Sequence, residues 1–422
     1  MESVGIGLLG LGTVGTAVAK RLIGEWELLG ERAGAVPALR CVAVRDVSRS
    51  RGFDLKNVRV IGDPQAVVVD SAVAIVVEAM GGTDPATALI ETSLRAGKTV
   101  VTANKAVIAA SGPRLCALAA EHGAHLYFEA SVGAGLPIIA VLRGSLLGDR
   151  ISALDGVING TTNVILTQMR TAGVTYQSAL ADATRRGFAE ADPSLDVDGW
   201  DAVHKLVILA WLAFGIHVTP DMVDRRGIRD VAGADVGALD QLGYRVRLLA
   251  HAEQQAGGAI HLRVRPTAVG PGYLLHDVDD AANAVIISSD LEETVMLRGL
   301  GAGGASTASA VVSDVVTAVR ERGTRAVDRP AHDAPTILSD EDVDVAGYVR
   351  VQLSAEPDAR ALVLQALEDR GVAVDAAVDL TGSELIVLTG IAPRAVHDRA
   401  LETLDTLTSV DQILGALDRV EA

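Results

Sequence analysis

The sequence predicts an α/β protein: an N-terminal doubly wound parallel sheet, a middle α+β domain and a small C-terminal module. Three observations predict this class. Strand and helix signals alternate over residues 1–130, longer strands and helices mix over 131–322, and 346–422 gives the order βαββαβ. Repeated strand–helix units favour a parallel sheet with helices on both faces. The βαββαβ order is typical of a ferredoxin-like module.

Within 1–130, four short apolar runs each end in glycine or polar residues, as buried parallel strands do: VGIGLLG, RCVAVRD, AIVVEAMGG and KTVVTANK. Small and apolar residues at helical spacing predict the helices between them: TVGTAVAKRLIG, PATALIETSLRAG and PRLCALAAEHG. The last two end in glycine, a common helix C-terminal residue. We therefore expect a parallel sheet between two helical layers.

The rest of the chain divides into three predicted parts. The middle domain combines strand signals with long helices: HLYFEAS, ISALDGVI, IHLRVRP, NAVIISS, VHKLVILAWLA and TASAVVSDVVTAVRER. We expect it to bind a substrate and to provide a dimer contact, while the helix after residue 305 closes the first domain. Residues 323–345 are rich in proline and charge without a period, which predicts a linker. The terminal module follows as GYVRVQLS, DARALVLQALEDRG, VAVDAAV, ELIVLTG, PRAVHDRALETL and VDQIL.

Composition excludes several classes of partner. The formal net charge of −17 argues against a nucleic-acid backbone or an anionic membrane. Cys41 and Cys116 stand in apolar runs and predict buried thiols, not a disulfide framework. The longest apolar stretch, LVILAWLAF, is too short to span a bilayer. With no basic segment and cleavage site at the N-terminus, we expect a cytoplasmic protein.

A glycine-rich loop follows the first strand. Gly10, Gly12 and Gly15, with Thr13 and Val14 between them, give the GxGxxG spacing at the start of a helix. In a Rossmann-type fold these glycines permit a tight turn, close approach of a pyrophosphate and tight helix–strand packing. The spacing alone is a weak signal that also fits an ordinary glycine turn. Its strand–loop–helix context favours dinucleotide binding.

The end of the second strand bears on which dinucleotide is bound. An acidic residue at this position binds the ribose hydroxyls of NAD, whereas arginine accepts the 2′-phosphate of NADP. The chain has Arg45 followed by Asp46, with further arginines just beyond. We predict NADP, with NAD left open by Asp46, and a solvated charged loop as the alternative without function.

Lysine is rare among the 37 basic residues, and two of the five lysines stand in segments rich in polar or acidic residues. Lys105 ends the strand signal KTVVTANK, and Lys205 follows the acidic segment EADPSLDVDGWD. Asp201 and Lys205 have i, i+4 spacing and share one helix face. Such a pair is usually a surface ion pair of little energetic value. A lysine ammonium among carboxylates can also transfer a proton, which guanidinium cannot do. The residues thus indicate an NAD(P)-dependent oxidoreductase acting on an amino acid or aldehyde.

The assembled motifs resemble those of homoserine dehydrogenases. The resemblance rests on GLGTVG, VVTANKA, FEASVGAGLPII, INGTTNVIL, EADPSLDVDGWDAVHKLVILA and the late GAGG loop, in the family's order and over nearly the whole chain. It implies reversible NAD(P)-dependent interconversion of L-homoserine and L-aspartate 4-semialdehyde, on the route to threonine and methionine. It also implies a homodimer or homotetramer.

Individual site residues carry over from the resemblance. Lys205 matches the lysine that exchanges a proton with the substrate oxygen, and Lys105 matches a second lysine that contacts cofactor and substrate. The residues expected at the substrate are Glu190, Asp196, Asp201, Asn159, Gly160 and Thr161. Those expected at the cofactor are Gly10, Gly12, Thr13, Val14, Gly15, Arg45, Thr102, Lys105 and Gly303. A sodium or potassium site is expected at Glu129 and at the carbonyls of Val132, Ala134 and Leu136.

Two departures leave alternatives open. The late loop reads LRGLGAGG without the tyrosine common in relatives, which allows a paralogue that reduces another amino-acid semialdehyde. The terminal module resembles an ACT domain, so it implies threonine as effector. Its first βα loop, AEPDARALV, lacks the glycine expected where an effector approaches the backbone, which leaves a structural or dimerising role open. A non-catalytic NAD(P)-binding regulator is a third alternative, against which the two lysines argue.

Overall fold

The computed structural model describes residues 2–190, 192–255, 257–291, 293–324, 331–332 and 336–421. Two compact units share the chain. The first contains 1–150, 204–220 and 297–334, and the second contains 151–203, 221–296 and 335–422. The predicted domain boundaries at 130, 322 and 345 stay predictions, because the units interleave in sequence. Parts of the predicted linker, 325–330 and 333–335, lie outside the described residues.

The first unit contains a six-stranded, all-parallel sheet in the order β3-β2-β1-β4-β5-β6. Its strands are β1 (Ser3–Leu9), β2 (Val36–Ala43), β3 (Arg59–Ile61), β4 (Ile75–Glu78), β5 (Thr99–Thr102) and β6 (Leu126–Tyr127). This confirms the doubly wound fold class. The predicted strand HLYFEAS pairs only at Leu126–Tyr127 and then turns into a 3₁₀ helix, Glu129–Ser131.

Helices cover this sheet. They are α1 (Thr13–Gly24), α2 (Trp26–Ala33), α3 (Pro64–Val68), α4 (Ala86–Arg95), α5 (Lys105–Glu121) and α6 (Ile138–Ala140), which continues as a π-helical turn, Val141–Ser145. The helix after residue 305 also packs here: Val311 and Val315 are fully buried in one core with Ile6, Leu8 and Val18. Burial of branched side chains from both layers stabilises the sheet.

The second unit contains a mixed sheet in the order β12-β11-β7-β9-β10-β16-β13-β15-β14, with β8 also paired to β10. Its first strands are β7 (Ile151–Val157), β8 (Asp224–Arg225), β9 (Arg245–Gln254), β10 (Ile260–Val269), β11 (Ala282–Ser289) and β12 (Glu293–Leu300). The helices of this unit are α7 (Gly160–Ala172), α8 (Tyr176–Arg185), α9 (Ser194–Val197) and α11 (Gly233–Gln241), whereas α12 (Gly304–Arg320) is the helix after residue 305 that belongs to the first unit; α10 spans Trp200–Phe214. Helix α10 begins in the second unit and ends in the first.

The terminal module has the predicted βαββαβ order. Its elements are β13 (Asp344–Leu353), α13 (Ala359–Asp369), β14 (Val374–Thr381), β15 (Glu384–Pro393), α14 (Arg394–Thr406) and β16 (Val410–Val420). The order β16-β13-β15-β14 is ferredoxin-like.

Two links fix this module to the rest of the second unit. Strand β16 pairs in parallel with β10, so the two sheets are continuous. The carboxylate of Asp235 on α11 accepts hydrogen bonds from Arg350 at 2.7 Å and from Tyr348 at 3.0 Å, and all three side chains are buried. A buried pair of this kind is costly to break, because one partner alone would be an uncompensated charge.

Candidate active site

The three glycines of the loop after β1 differ in the space around them. A Cβ on Gly10, whose φ is +93°, would lie 2.6 Å from the carbonyl oxygen of Ala79, and a Cβ on Gly15 would lie 2.1 Å from that of Gly10. A Cβ on Gly12 would meet nothing within 4 Å. The protein itself therefore requires glycine at two of these positions. At Gly12 it leaves open space, as expected where a pyrophosphate approaches the backbone.

The late glycine loop lies against this cofactor loop. Gly303 has φ +122°, a conformation open to glycine, and is the N-cap of α12. A Cβ on Gly304 would lie 2.7 Å from the side chain of Thr13. The expected cofactor residues Thr13 and Gly303 are thus neighbours, although 290 positions separate them in the sequence.

The loop after β2 leaves both Arg45 and Asp46 exposed to solvent. The Asp46 carboxylate accepts hydrogen bonds from the backbone N–H and the hydroxyl of Ser48, at 2.9 and 2.6 Å. These bonds hold the pKa of Asp46 below its usual range. The side chain of Arg51 donates to the Asp46 carbonyl at 2.5 Å. One oxygen of the Asp46 carboxylate is therefore engaged within the loop, although both side chains are exposed.

The start of α5, where Lys105 stands, is held by a network that the sequence did not predict. Glu78, fully buried at the end of β4, accepts the Thr102 hydroxyl at 2.6 Å and the Met80 N–H at 2.7 Å. The Thr102 hydroxyl in turn accepts the N–H of Asn104, whose side chain caps α5. Thr102 thus orders this edge of the sheet, in addition to its predicted place at the cofactor. The polar interruption of VVEAMGG was the available signal for Glu78.

Lys105 and Lys205 lie on two helices that touch. A Cβ on Gly112 of α5 would lie 2.8 Å from the ring of Trp211 on α10, so these helices approach closely. Trp211 also stacks on Phe128, with ring centroids 5.7 Å apart. Each lysine lies about two helical turns N-terminal to this contact. Lys205 is only 8% exposed, which is rare for lysine unless the ammonium group is paired.

In the second unit, Asn159 brings two of the predicted acids together. Its side-chain nitrogen donates to Asp196 at 2.7 Å and to Asp201 at 2.8 Å. Asp201 is 4% exposed and lies in the first turn of α10, one turn before Lys205. Its carboxylate is also favoured by the helix N-terminus. The Asn159 amide thereby brings two carboxylates together at the N-terminal end of α10.

Arginines brace the acidic segment. Arg229 donates to both oxygens of Asp198, and Arg225 donates to the Asp198 carbonyl and lies 4.0 Å from the ring centroid of Trp200. Asp198 is therefore a structural acid. Glu190 is exposed and is not brought into the Asn159 cluster by any bond that the structure records for the described residues.

Helix α7 carries the remaining predicted substrate residues. Gly160 opens it, and the Thr161 hydroxyl donates to the carbonyl of Phe188 at 2.8 Å. The helix is anchored to the sheet by Asn163, which accepts from the buried Arg247 at 3.2 Å. Burial lowers the pKa of Arg247 although its partner Asp279, 2.8 Å away, opposes the shift. This position for α7 fixes the Asn159 amide.

The predicted cation residues form one turn in the first unit. The Glu129 carboxylate accepts the N–H groups of Ile139 and Ala140, at 2.9 and 2.6 Å. Burial raises its pKa to about 7 in spite of these bonds. Gly133 and Ala134 have positive φ values of 73° and 51°, which makes the loop turn sharply. A cation beside Glu129 would offset the cost of burying its charge.

The described residues contain neither a metal-binding cluster of acidic, histidine or cysteine side chains nor a membrane-spanning helix. No group of three or more histidine, cysteine, aspartate or glutamate side chains could hold a metal ion. Among the same residues, every helix is too short or too polar to cross a membrane.

Comparison with known proteins was made at the level of family, sequence and structure. The NAD-binding domain of homoserine dehydrogenase matches residues 10–129, and the homoserine dehydrogenase domain matches 137–316. A homoserine dehydrogenase of Synechocystis sp. is 38% identical over 97% of this chain and 98% of that protein.

Two solved structures extend the comparison. The crystal structure of a homoserine dehydrogenase from Thiobacillus denitrificans has a TM-score of 0.92 and 35% identity, and it covers 100% of this chain and 99% of that one. A hyperthermophilic archaeal homoserine dehydrogenase in complex with NADPH has a TM-score of 0.64 and 31% identity, over 76% of this chain and 99% of that one. The chain therefore belongs to the homoserine dehydrogenase family of NAD(P)-dependent oxidoreductases, which act on a CH–OH group.

Proposed function

We propose that the chain interconverts L-homoserine and L-aspartate 4-semialdehyde, in the formation of threonine and methionine. The observation that carries the proposal is the Asn159–Asp196–Asp201 cluster at the start of α10, with the buried Lys205 one turn later. Two carboxylates suit the ammonium group of an amino acid, and a lysine suits proton exchange with its oxygen.

Hydride transfer, proton transfer and substrate binding are carried out by different groups at the site. When bound, NAD(P) supplies or accepts the hydride. During reduction negative charge develops on the substrate carbonyl oxygen, where the ammonium of Lys205 stabilises it and donates a proton. Lys105, placed by the Asn104 cap of α5, contacts both cofactor and substrate. Glu190, Asp196 and Asp201 bind the polar ends of the substrate, while Gly160 and Thr161 shape the site.

The activity is tested with purified protein. NADPH oxidation is followed by absorbance with aspartate 4-semialdehyde and with homologues one and two methylenes longer. Preference for the four-carbon substrate supports the proposal, and preference for a longer one supports the paralogue. Tight NADPH binding without oxidation of any substrate would identify a non-catalytic regulator.

For the cofactor we propose NADP. The support is the exposed Arg45 beside Asp46, one of whose carboxylate oxygens already accepts two hydrogen bonds from Ser48. We expect Arg45→Ala to weaken NADPH binding about tenfold, the effect of about 1.4 kcal/mol, with little change for NADH. Fluorescence titration of both cofactors measures this. Equal loss for both would show that Arg45 does not read the 2′-phosphate.

We further propose that sodium or potassium binds at Glu129 and the carbonyls of Val132, Ala134 and Leu136. A buried carboxylate beside carbonyl oxygens suits a hard cation. The melting temperature should rise in sodium or potassium chloride relative to choline chloride at equal ionic strength. In Glu129→Gln that difference should vanish, and an unchanged difference would exclude the site.

The proposal also covers the functional domains, the localisation, the oligomeric state and the effector of the protein. The functional domains are residues 1–130 for the dinucleotide, 131–322 for the substrate, 323–345 as linker and 346–422 as the ACT-like module. We propose a cytoplasmic homodimer or homotetramer. Threonine is the candidate effector, and it should inhibit turnover if the terminal module senses it.

A structural role for the module has the stronger support. In the first βα loop Asp358 takes the left-handed φ of +63°, so a side chain stands where an approaching effector would need bare backbone. The module also shares its sheet with the substrate domain. Turnover measured with and without threonine separates the two roles.

A further inference from the structure

Every hydrogen-bonding position of the Asn159 side chain is already used inside the protein. The amide nitrogen, with two hydrogens, donates to Asp196 and to Asp201. The amide oxygen, with two lone pairs, accepts the N–H of Thr162 at 2.8 Å and its hydroxyl at 2.9 Å. Asn159 is 4% exposed. A carboxamide has no further donor or acceptor to offer a substrate.

We infer that Asn159 is a positioning residue that holds Asp196 and Asp201 as a preformed, ionised pair, and not a substrate ligand. The inference rests on the proposed function, since it concerns how that site is kept ready. It refines the expected role of Asn159, which the family resemblance places among the substrate residues.

The side chain at position 159 has to donate two hydrogen bonds without carrying a charge, which explains why it is an amide. Two carboxylates bonded to one nitrogen atom are close enough to repel, and the hydrogen bonds donated by that nitrogen favour the charged form of both acids. A lysine or arginine would also hold the pair together, but its positive charge would cancel the field that attracts a substrate ammonium group. The neutral amide donates to both acids and leaves their charge available.

The amide is itself fixed from two sides. Asn159 lies two residues after the end of β7 and caps α7, so its oxygen is held by the first turn of that helix. Asn163, one turn later, donates to the carbonyls of Val278 and Ala282 at 2.7 and 3.2 Å. The nitrogen consequently points at the acids whether or not substrate is present.

Other charged groups lie near the acidic segment. Asp198 is paired with Arg229, and Arg225 lies over Trp200. Lys205 follows Asp201 by one turn of α10, and Glu190 is exposed.

The test is Asn159→Ser. Serine still accepts a hydrogen bond from the first turn of α7, so the cap is kept, but it cannot donate to both acids. We expect kcat/KM for homoserine to fall about 100-fold at neutral pH, mainly through KM, as two bonds to charged groups are lost. The acid limb of the kcat/KM profile should move to higher pH by about one unit, because the lost hydrogen bonds no longer favour the charged form of the acids. NADPH affinity should not change.

Asn163→Ser is the matched control on the same helix. Its amide donates to backbone carbonyls, so it should lower the melting temperature without moving the acid limb. Asn159→Asp, of the same shape, covers the case in which the serine variant does not fold, and it should move the limb at least as far. A raised KM with an unmoved acid limb in either variant would make Asn159 a direct ligand and overturn the inference. An inactive wild-type protein would instead refute the proposed function.

Discussion

Replacing Gly12 and Gly15 by alanine should separate the needs of the cofactor from the needs of the fold. Both glycines belong to the same loop, and each substitution adds one methyl group. At Gly12 that methyl meets no protein atom within 4 Å, whereas at Gly15 it would lie 2.1 Å from the Gly10 carbonyl oxygen. Carbon and oxygen atoms that are not bonded normally stay about 3.2 Å apart. The start of α1 would therefore have to move by about 1 Å.

The expected magnitudes follow from these distances. Gly12 has φ −77°, which alanine adopts without strain, so the loss of a slightly better N-cap is offset by reduced freedom of the unfolded chain. Stability should change by less than about 1 kcal/mol. NADPH binding should weaken about 10- to 100-fold, or about 1.4 to 3 kcal/mol, because the methyl occupies the space of the pyrophosphate. Gly15→Ala should cost about 1–3 kcal/mol in stability through overpacking.

Denaturant unfolding measures the stability of each variant, and fluorescence titration with NADPH measures its affinity. Wild-type affinity in Gly12→Ala would refute the assignment of this open space to the cofactor. A strongly destabilised Gly12→Ala would refute the steric argument itself, as would a Gly15→Ala protein as stable as wild type.

Three further predictions concern the lysine, the helix contact and pH. Lys205→Ala should lower kcat by about 10²–10⁴ with the fold intact by circular dichroism, and Lys205→Arg should not restore it because guanidinium keeps its proton; a wild-type kcat would remove this lysine from the mechanism. Gly112→Ala should lower the free energy of unfolding by about 1–3 kcal/mol and reduce kcat in steady-state assays, because the buried Trp211 ring must move with α10. An unaffected kcat would show that this helix contact does not position Lys205. Burial lowers the pKa of His251, but Asp155 at 2.9 Å outweighs it and raises the pKa to about 8. The raised pKa contributes about 2 kcal/mol to the free energy of unfolding; this contribution is complete below the ordinary pKa of 6.5 and is lost as pH rises through 8. In Asp155→Asn the free energy of unfolding should therefore change less between pH 6.5 and 8.5 than in the wild type.

The sequence did not predict two of the strands, and it predicted a third as too long. Strand β9 is buried along most of its length, so RVRLLAHAEQ lacks the alternation of a half-exposed strand. Strand β3 has only three residues, too few for a pattern. The predicted strand HLYFEAS pairs over two residues, because Glu129 turns to meet the N–H groups of Ile139 and Ala140.

The sequence by itself determined the local chemistry of this protein. The GxGxxG spacing after an apolar run, the acids ahead of Lys205 and the βαββαβ order of the last segment are local patterns, each readable because backbone geometry constrains neighbours along the chain. Tertiary structure decided which distant residues meet. Asn159 reaches acids 37 and 42 positions away, and Glu78 holds Thr102 across two strands. No sequence period encodes such pairings, because they depend on where whole strands and helices pack.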